Sequence, residues 1–463
     1  MPPMKLAFLA LALVLAPVLS ASTSRPNVLL IITDQHSADA MSCWQGDRYL
    51  RTPHIDSLAA RGVLFTRAYV ANPICIPART AMFTGRYPHE TGVQNNERRP
   101  VDAKQFPTLG TLFRKAGYET GYVGKWHIPI PIGDVDASGF EYTANIKNNG
   151  ADAATPPAVA EFLARKSDKP FLLVASFINP HNICEWARGD KLPDGEVGPP
   201  PPPDECPPAP ANLAPPRGEP DALAFARRSY HANNQFPVGD FDVGKWRQYR
   251  WSYYRMIEKV DAEIGRVLAS LREHGLADQT LVVLTSDHGD CQGAHGFNQK
   301  TVFLDESSRV PLIISAPGAT HIGKSDRLTQ IGIDLIPTLC DYAGITAPAV
   351  LPGRSFRTAV EDKPDRDAPG YVVVSNHLVQ GVPLLGVMMT PAGRMLRSER
   401  YKYSVYDQGK QRESLVNMEA DPGETTNLAI EGKFSAVLNA HRRQLLEWSR
   451  TSKDTTFPYR QPE

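Results

Sequence analysis

The chain of 463 residues carries no formal net charge, because its 50 basic and 50 acidic residues cancel. It therefore lacks the global positive field that draws a protein to nucleic acid or to an anionic membrane. Any anionic ligand must be attracted by a local site. After the first 22 residues, no apolar run approaches the length needed to cross a bilayer. We expect neither nucleic acid nor a membrane as a partner of the mature protein.

The cysteines include no CxxC pair, and this absence argues against a zinc ribbon or a thioredoxin-type redox site. The six are Cys43, Cys75, Cys184, Cys206, Cys291 and Cys340. Disulfides would be permitted in an exported protein. If Cys75 is used chemically, five cysteines are left, and at least one of them stays unpaired within the chain.

The start of the chain has the pattern of a signal peptide. Lys5 gives a basic start, residues 6–18 are apolar, and Ser20, Ala21 and Ser22 supply small residues for cleavage. We therefore predict a signal peptide at residues 1–22 and a periplasmic or secreted protein. A retained single anchor is the alternative interpretation.

Four short apolar runs rich in β-branched residues predict buried parallel strands. They cover residues 27–33, 119–123, 171–177 and 281–285. Helical patterns at residues 108–116, closed by Gly117, and at residues 249–271 lie between them. The order predicts an α/β fold with a large, mainly parallel sheet flanked by helices.

Each of these predicted strands is followed by polar or charged side chains. The residues concerned are Asp34 and Gln35, Lys125 and His127, His181, and Asp287 and His288. In open α/β sheets, ligands bind outside the carboxyl ends of the strands. Four such ends carrying metal-capable or anion-binding groups predict one shared site.

Two further regions set the predicted organisation. Residues 199–220 are rich in proline and favour an irregular loop, either lining a cleft or lying at the surface. Beyond residue 369 the pattern changes to short strands and a final helix. The strands are predicted at residues 371–375, 384–390, 394–397, 402–406 and 413–417, and the helix at 434–450. We expect a catalytic domain at 23–369 and a smaller antiparallel α+β subdomain at 370–463.

The most informative motif lies at residues 72–92, which read NPICIPARTAMFTGRYPHETG. Cys75, Pro77 and Arg79 resemble the type I sulfatase signature Cys-x-Pro-x-Arg, and the Thr-Gly-Arg at residues 84–86 fits its extension. A free cysteine is most often a small buried core residue. A polar stretch broken by prolines is poor core chain, however, so a functional Cys75 is the better interpretation. The chain thus resembles the formylglycine-dependent sulfatases of the alkaline phosphatase superfamily.

This resemblance implies that Cys75 is oxidised to formylglycine by a maturation enzyme. The hydrated aldehyde offers two hydroxyl groups, of which one attacks sulfur while a cation and Arg79 favour its ionised form. After the alcohol leaves, deprotonation of the second hydroxyl re-forms the carbonyl and expels sulfate. The implied reaction is covalent catalysis that needs no water to attack the sulfated enzyme.

The resemblance also implies a metal site formed by Asp34, Gln35, Asp287, His288 and the side chain of residue 75. Oxygen donors favour Ca²⁺, whereas an imidazole ligand leaves Mn²⁺ or Mg²⁺ open. Capping of a helix or turn is the alternative role for such residues, although both pairs follow strands. The Asp-Gln pair is also similar to that of choline sulfatases, some glycan sulfatases and phosphonate monoester hydrolases.

Four more residues match positions of the family pattern. Lys125 would hold a sulfate oxygen, and His127 would orient or deprotonate the formylglycine hydroxyl. His181 would protonate the leaving alcohol, working with Lys300. Residues 413–428 resemble the family's carboxy-terminal segment, so the resemblance extends from residue 27 to about residue 428.

The expected function is that of an exported sulfatase acting on a sulfated small molecule, in particular a sulfated carbohydrate. A phosphonate or phosphodiester hydrolase of the same superfamily and a choline sulfatase-like enzyme are the catalytic alternatives. A glycan-binding protein without activity is the alternative from another class. That last class would have lost site residues, yet Cys75, Arg79, Lys125, His127 and Lys300 are all present.

Overall fold

The structure is a computed structural model and describes residues 25–319, 321–365, 368 and 370–457. The predicted signal peptide at residues 1–22 lies outside the described residues. Within the described ranges, no helix is both long enough and apolar enough to cross a membrane.

The described residues form fourteen strands and fourteen α-helices. The strands are β1 (Asn27–Asp34), β2 (Val63–Phe65), β3 (Ala68–Tyr69), β4 (Glu119–Lys125), β5 (Tyr142–Lys147), β6 (Phe171–Pro180), β7 (Thr280–Ser286), β8 (Leu312–Ser315), β9 (Gly323–Ser325), β10 (Thr329–Gln330), β11 (Tyr371–His377), β12 (Ala392–Ser398), β13 (Tyr401–Tyr406) and β14 (Glu413–Asn417). The helices are α1 (Ser42–Gln45), α2 (Pro53–Ala59), α3 (Cys75–Thr84), α4 (Pro88–Thr91), α5 (Leu109–Lys115), α6 (Val135–Ser138), α7 (Thr155–Leu163), α8 (Ile183–Arg188), α9 (Asp221–His231), α10 (Val243–Glu273), α11 (Asp305–Ser308), α12 (Ile331–Ala343), α13 (Arg357–Val360) and α14 (Ser435–Thr451).

The main sheet has the strand order β5-β4-β6-β1-β7-β8-β2-β9 among the described residues. Strands β4, β6, β1 and β7 are mutually parallel neighbours, whereas β8 runs antiparallel to both β7 and β2. These four neighbours are the four strands predicted from sequence, and their carboxyl ends lie side by side. The predicted α/β class with a mainly parallel sheet is confirmed.

The centre of the sheet is covered on both faces. Every residue of β1 is buried. Val28, Leu30 and Ile32 point into one hydrophobic core, and Leu29 and Ile31 point into the other. A strand that alternates between two apolar cores needs apolar residues at every position, and this explains the continuous apolar run in its sequence.

A second sheet of four antiparallel strands, β11-β12-β13-β14, follows the main sheet in the chain. On β11, Val373 packs in a core shared with α14, whereas Val372 and Val374 pack in a core shared with α9. The small sheet is therefore held between its own terminal helix and the catalytic part of the chain. This arrangement confirms the predicted antiparallel α+β unit.

The predicted strand at residues 384–390 is wrong. Leu384 and Val387 form only an isolated bridge across a tight turn, in which Gly386 has a φ of 77°. Leu385 is fully exposed. An apolar run becomes a strand only when a neighbouring strand pairs with it, and here β11 and β12 already pair directly with each other. The proline-rich segment is an irregular loop with one short 3₁₀ turn at Pro203–Glu205, as predicted.

Candidate active site

Helix α3 brings Cys75 to the carboxyl ends of the central strands. Cys75 is the first residue of the helix and is 2% exposed. Its Sγ lies 3.2 Å from Nε2 of His288, which follows β7 by two residues. The sequence motif and the predicted strand ends therefore meet in one buried place.

Four side chains could hold a metal ion here. The donor atoms of Asp34, Cys75, Asp287 and His288 all lie within 4.8 Å of one another, and all four residues are buried. Oδ1 of Asp34 is buried and has no hydrogen-bond partner among the described residues. His288 Nδ1 lies 3.0 Å from the carbonyl oxygen of Gly289 and donates to it, so Nε2 is the ring nitrogen that faces the cluster. This donor set, with its unpartnered carboxylate oxygen, fits a divalent cation.

Arg79 is a fully buried guanidinium that ties the two carboxylates together. Its Nη2 donates to Asp34 Oδ2, and its Nε donates to Asp287 Oδ2, each at 2.8 Å. Its Nη1 donates to Ser176 Oγ and to the carbonyl of Lys125. The guanidinium thus donates to acceptors on three strands, β1, β4 and β6, and to Asp287 directly after β7, which fixes the carboxylates relative to the sheet.

Lys125 places a second cation on the same carboxylate, with Nζ 2.8 Å from Asp34 Oδ2. Burial would raise the pKa of Asp34, but Lys125, His181 and Arg79 hold that pKa well below its usual value. Burial and the charge of Asp34 raise the pKa of Asp287 to about 6. Two neighbouring carboxylates in a buried site cannot both ionise freely without compensating charge, which a cation would provide.

Lys300 approaches the site from the segment after β7. Its Nζ donates to Oε1 of Gln35 at 2.5 Å, although the two residues are 265 positions apart. Burial would raise the pKa of the Cys75 thiol, yet Lys300 and Lys125 hold it well below its usual value. The region around residue 75 therefore favours negative charge on the side chain there, as a nucleophile or an anionic substrate requires.

The two candidate histidines occupy different surroundings. His181 follows β6 directly and lies near Cys75. Burial and the charges of Lys300 and Lys125 lower its pKa to about 4. His127 follows β4 by two residues in a left-handed conformation, with a φ of 50°, and is half-buried. Its Nδ1 is buried without a hydrogen-bond partner within the described residues.

Several residues that the sequence interpretation did not assign also belong to this region. Asp290, in the SDHGD segment, accepts a hydrogen bond from Gln35 Nε2 at 2.7 Å. Cys184 lies 3.4 Å from the same nitrogen through its Sγ. Asp290 follows a strand end as Asp287 does, and that position was the only signal of its role. All six cysteines lie within the described ranges, and each has a free thiol.

Comparison with known proteins identifies the family. A family model described as Sulfatase matches residues 26–345, and a model described as N-sulphoglucosamine sulphohydrolase, C-terminal, matches residues 293–451. The chain is 31% identical to a delta 4,5-hexuronate-2-O-sulfatase of Bacteroides thetaiotaomicron, over 96% of this chain and 93% of the relative. It is 26% identical to an N-acetylglucosamine-6-O-sulfatase of the same organism, over 93% and 88%.

The fold agrees with a solved structure of the same kind. A 2-O GAG sulfatase superposes with a TM-score of 0.80 at 29% identity, over 94% of each chain. The family match covers well over half of the chain and includes Cys75, the four strand ends and Lys300. The chain therefore belongs to the sulfatase family of the alkaline phosphatase superfamily and is a sulfuric ester hydrolase.

Proposed function

We propose that this sulfatase hydrolyses sulfate esters of a sulfated carbohydrate, using a formylglycine made from Cys75 and one divalent cation. The observation that carries the proposal is the position of the Cys75 thiol. It lies at the start of α3, within the cluster of Asp34, Asp287 and His288, and under the charge of Lys300. A core cysteine would have apolar neighbours, whereas this one is surrounded by ionisable groups.

Asp34, Gln35, Asp287, His288 and residue 75 would hold the cation, which supplies positive charge beside the nucleophile and the sulfate. Ca²⁺ is the first expectation because most of these donors are oxygens, and Mn²⁺ or Mg²⁺ are the alternatives. The unpartnered Oδ1 of Asp34 supports this assignment, because a buried carboxylate oxygen otherwise has to find a donor.

Formylglycine at position 75, once hydrated by water, would supply one hydroxyl for attack on sulfur and a second whose deprotonation re-forms the carbonyl and releases sulfate. Lys125 and Lys300 bring two ammonium groups to the site, where they can bind sulfate oxygens and stabilise developing charge. His127, with its unpartnered Nδ1, is proposed to orient the attacking hydroxyl or to take its proton. His181 is proposed to protonate the leaving alcohol.

The relatives support a carbohydrate substrate, because their names specify sulfated uronate and N-acetylglucosamine residues. The rival within the superfamily is a phosphonate or phosphodiester hydrolase with the same Asp-Gln and Asp-His residues. The two reactions differ in charge and geometry at the transferred group. Ratios of kcat/KM on matched sulfate and phosphate esters therefore separate them.

The test combines maturation with a substrate panel. The protein is made with and without a formylglycine-generating enzyme, and the peptide around Cys75 is analysed by mass spectrometry for a mass about 18 Da lower. Sulfate release is then measured on a 2-O-sulfated unsaturated disaccharide, 6-O-sulfated N-acetylglucosamine and choline sulfate. Release of the alcohol is measured on a phosphodiester. We expect activity only in the matured sample and a preference for a sulfated sugar. Full activity with an intact Cys75 thiol would overturn the nucleophile assignment, and a preference for the phosphodiester would overturn the substrate class.

We further propose that residues 1–22 are a signal peptide, that the protein acts in the periplasm or outside the cell, and that the two structural units divide near residue 369. The basic and apolar pattern at the start supports export. The start of the small sheet at Tyr371 supports the boundary. Sequencing the amino terminus of the protein recovered from the native host would locate the cleavage site.

A further inference from the structure

The side chain of Gln35 lies between two groups of opposite charge. It is fully buried. Its Nε2 donates to Oδ2 of Asp290 at 2.7 Å, and its Oε1 accepts from Nζ of Lys300 at 2.5 Å. The amide therefore has one defined orientation, with the nitrogen towards Asp290 and the oxygen towards Lys300.

The reverse orientation would be strongly unfavourable. A flipped amide would place its carbonyl oxygen against the carboxylate of Asp290 and its NH₂ group against the ammonium of Lys300. Both contacts would be repulsive, and neither group could turn to water because all three residues are buried. Asp290 and Lys300 thus fix the same orientation from opposite sides.

Asp290 is itself held in place by hydrogen bonds from two other residues. Its Oδ1 accepts from the backbone N–H of Gln292 at 2.8 Å, and its Oδ2 accepts from the hydroxyl of Tyr249 at 3.0 Å. With Gln35 Nε2, every hydrogen-bond partner of its carboxylate is a donor. These hydrogen bonds fix the position of the Asp290 side chain beside the amide of Gln35.

We infer that Asp290 is a positioning residue that keeps the carbonyl oxygen of Gln35 directed at the reaction centre. The inference rests on the proposed function, in which Gln35 contributes an oxygen to the cation site. Asp290 touches neither substrate nor cation in this role and acts through Gln35 alone. Outer partners of this kind commonly control metal affinity or activity on the order of 10- to 100-fold.

The test exchanges the amide and the carboxylate between the two positions. Asp290→Asn removes one of the two groups that fix the amide of Gln35 and leaves only Lys300 to favour the native orientation. Ca²⁺ affinity and kcat/KM should therefore each fall about 10- to 100-fold. In the Gln35→Glu variant, the carboxylates of residues 35 and 290 repel each other. This variant should also lose Ca²⁺ affinity and activity. The double variant Gln35→Glu with Asp290→Asn restores a hydrogen bond and the total charge, with an oxygen again towards Lys300. It should recover to within a few-fold of wild type in both measurements.

Ca²⁺ affinity is measured by calorimetry on the full chain after chelation, and kcat/KM is measured on matured protein. The control is Asp261→Asn, which alters a buried carboxylate that accepts only from the backbone of residues 54 and 55 on α2. It should lower Tm and leave Ca²⁺ affinity unchanged. Tyr249→Phe removes one donor to Asp290 and should give a smaller loss than Asp290→Asn.

Two results would overturn the inference. One is an Asp290→Asn variant with wild-type Ca²⁺ affinity and wild-type kcat/KM. The other is a double variant no better than Asp290→Asn alone, since a residue with a merely structural role would not be rescued by an exchange at position 35. If the wild-type protein binds no cation, the proposed metal site is wrong. In that event the recovery of kcat/KM in the double variant still decides the role of Asp290.

Discussion

At the scale of single residues, the surroundings of His181 determine when its imidazole is protonated and can act as the proposed acid. Burial, together with Lys300 and Lys125, lowers its pKa to about 4, against smaller opposite effects of Asp34 and Cys75. At neutral pH the free imidazole is therefore neutral and cannot act as an acid. An anionic sulfate between the two ammonium groups would offset their charge and favour the protonated imidazole.

This condition gives a prediction for leaving groups and pH. His181→Ala should slow hydrolysis of a sugar sulfate by about two to four orders of magnitude, because the alkoxide needs a proton as it leaves. It should affect nitrophenyl sulfate far less, because phenolate leaves without help. The profile of kcat/KM reports the free enzyme, in which only the rare protonated form is competent. The ratio of kcat/KM for the sugar over the nitrophenyl ester should therefore rise as the pH falls from about 8 to 5.

The comparison is made with steady-state kinetics on both esters, for wild type and for His181→Ala. Using a ratio cancels the ionisations that both reactions share. In the variant the ratio should be flat with pH. Equal losses on both esters would make His181 a binding residue, and His127 would become the next candidate for the acid.

The identity of the candidate site residues could be predicted largely because the chemistry lies at strand ends. Asp34, Lys125 and Asp287 each lie at or directly after the end of a predicted strand, and parallel strands bring such ends together. The role inferred for Asp290 could not be predicted in the same way. It depends on a contact between residues 35 and 290, and no local pattern specifies which way an amide turns.

At the scale of elements, the segment that carries Lys300 adopts an unusual backbone. Gln299 and Thr301 have φ values of 62° and 82°. A β-branched residue rarely adopts a positive φ, and such a conformation persists only where its surroundings enforce it. The Thr301 N–H donates to the carbonyl of Pro73, and the Thr301 carbonyl accepts from Asn376 Nδ2 at 2.8 Å. Pro73, in the motif at residues 72–92, and Asn376 of strand β11 thus hold the segment that carries Lys300 in place.

We predict that Asn376→Ala displaces Lys300 even though the substituted residue lies on the small sheet. Loss of the hydrogen bond leaves a buried carbonyl unpaired and should cost about 1–3 kcal/mol of stability. A displacement of about 1 Å at the lysine should lower kcat/KM on the order of 100-fold. Ser398→Ala, which removes hydrogen bonds to Tyr401 and His441 elsewhere in the same sheet, is the matched control. If both variants lose the same activity, the effect is one of general stability.

The elements themselves were predictable where a segment is long or fully buried. Helix α10 and the four central strands follow from their apolar spacing, because each is covered by core on at least one face. The segment at residues 384–390 has the same apolar composition as a strand and yet forms a turn with exposed side chains. The edge strand β5 was not predicted, because its half-exposed residues lack a continuous apolar run. In both cases, the presence or absence of a neighbouring strand that pairs with the segment determined its structure.

At the scale of the whole molecule, a buried ionic cluster joins the small sheet to the catalytic unit. Lys402 of β13 places its Nζ 2.5 Å from Asp305 at the start of α11 and 2.6 Å from Glu424. It also donates to the carbonyl of Phe303 at 3.0 Å. Helix α11 begins five residues after Lys300, so this cluster anchors the carboxyl end of the segment that carries Lys300. Asn376 holds the same segment at Thr301. The small sheet is therefore part of the structure that supports the active site.

Lys402→Met tests how strongly this cluster contributes. Removing the lysine leaves the buried carboxyl group of Glu424 without its cation, whereas the partly buried Asp305 keeps Arg309. The variant should be less stable by about 3–5 kcal/mol at pH 7, measured by urea unfolding. The pH dependence has a definite sign. Burial would raise the pKa of Asp305, but Lys402 and then Arg309 hold it below its usual value. Such a group stabilises the fold above its unfolded pKa of about 4, and the stabilisation is lost as the pH falls through the folded value.

The difference between wild type and Lys402→Met should consequently be largest near neutral pH and should shrink as the pH falls below about 4, where the freed carboxyl groups become neutral. Lys433→Met is the control, because its partner Glu431 lies at the surface and the pair is exposed to solvent screening. That variant should keep the wild-type Tm at every pH. A Lys402→Met protein as stable as wild type at pH 7 would show that the cluster contributes nothing to the interface. A difference that grows in acid would mean that Lys402 acts through a group other than Asp305.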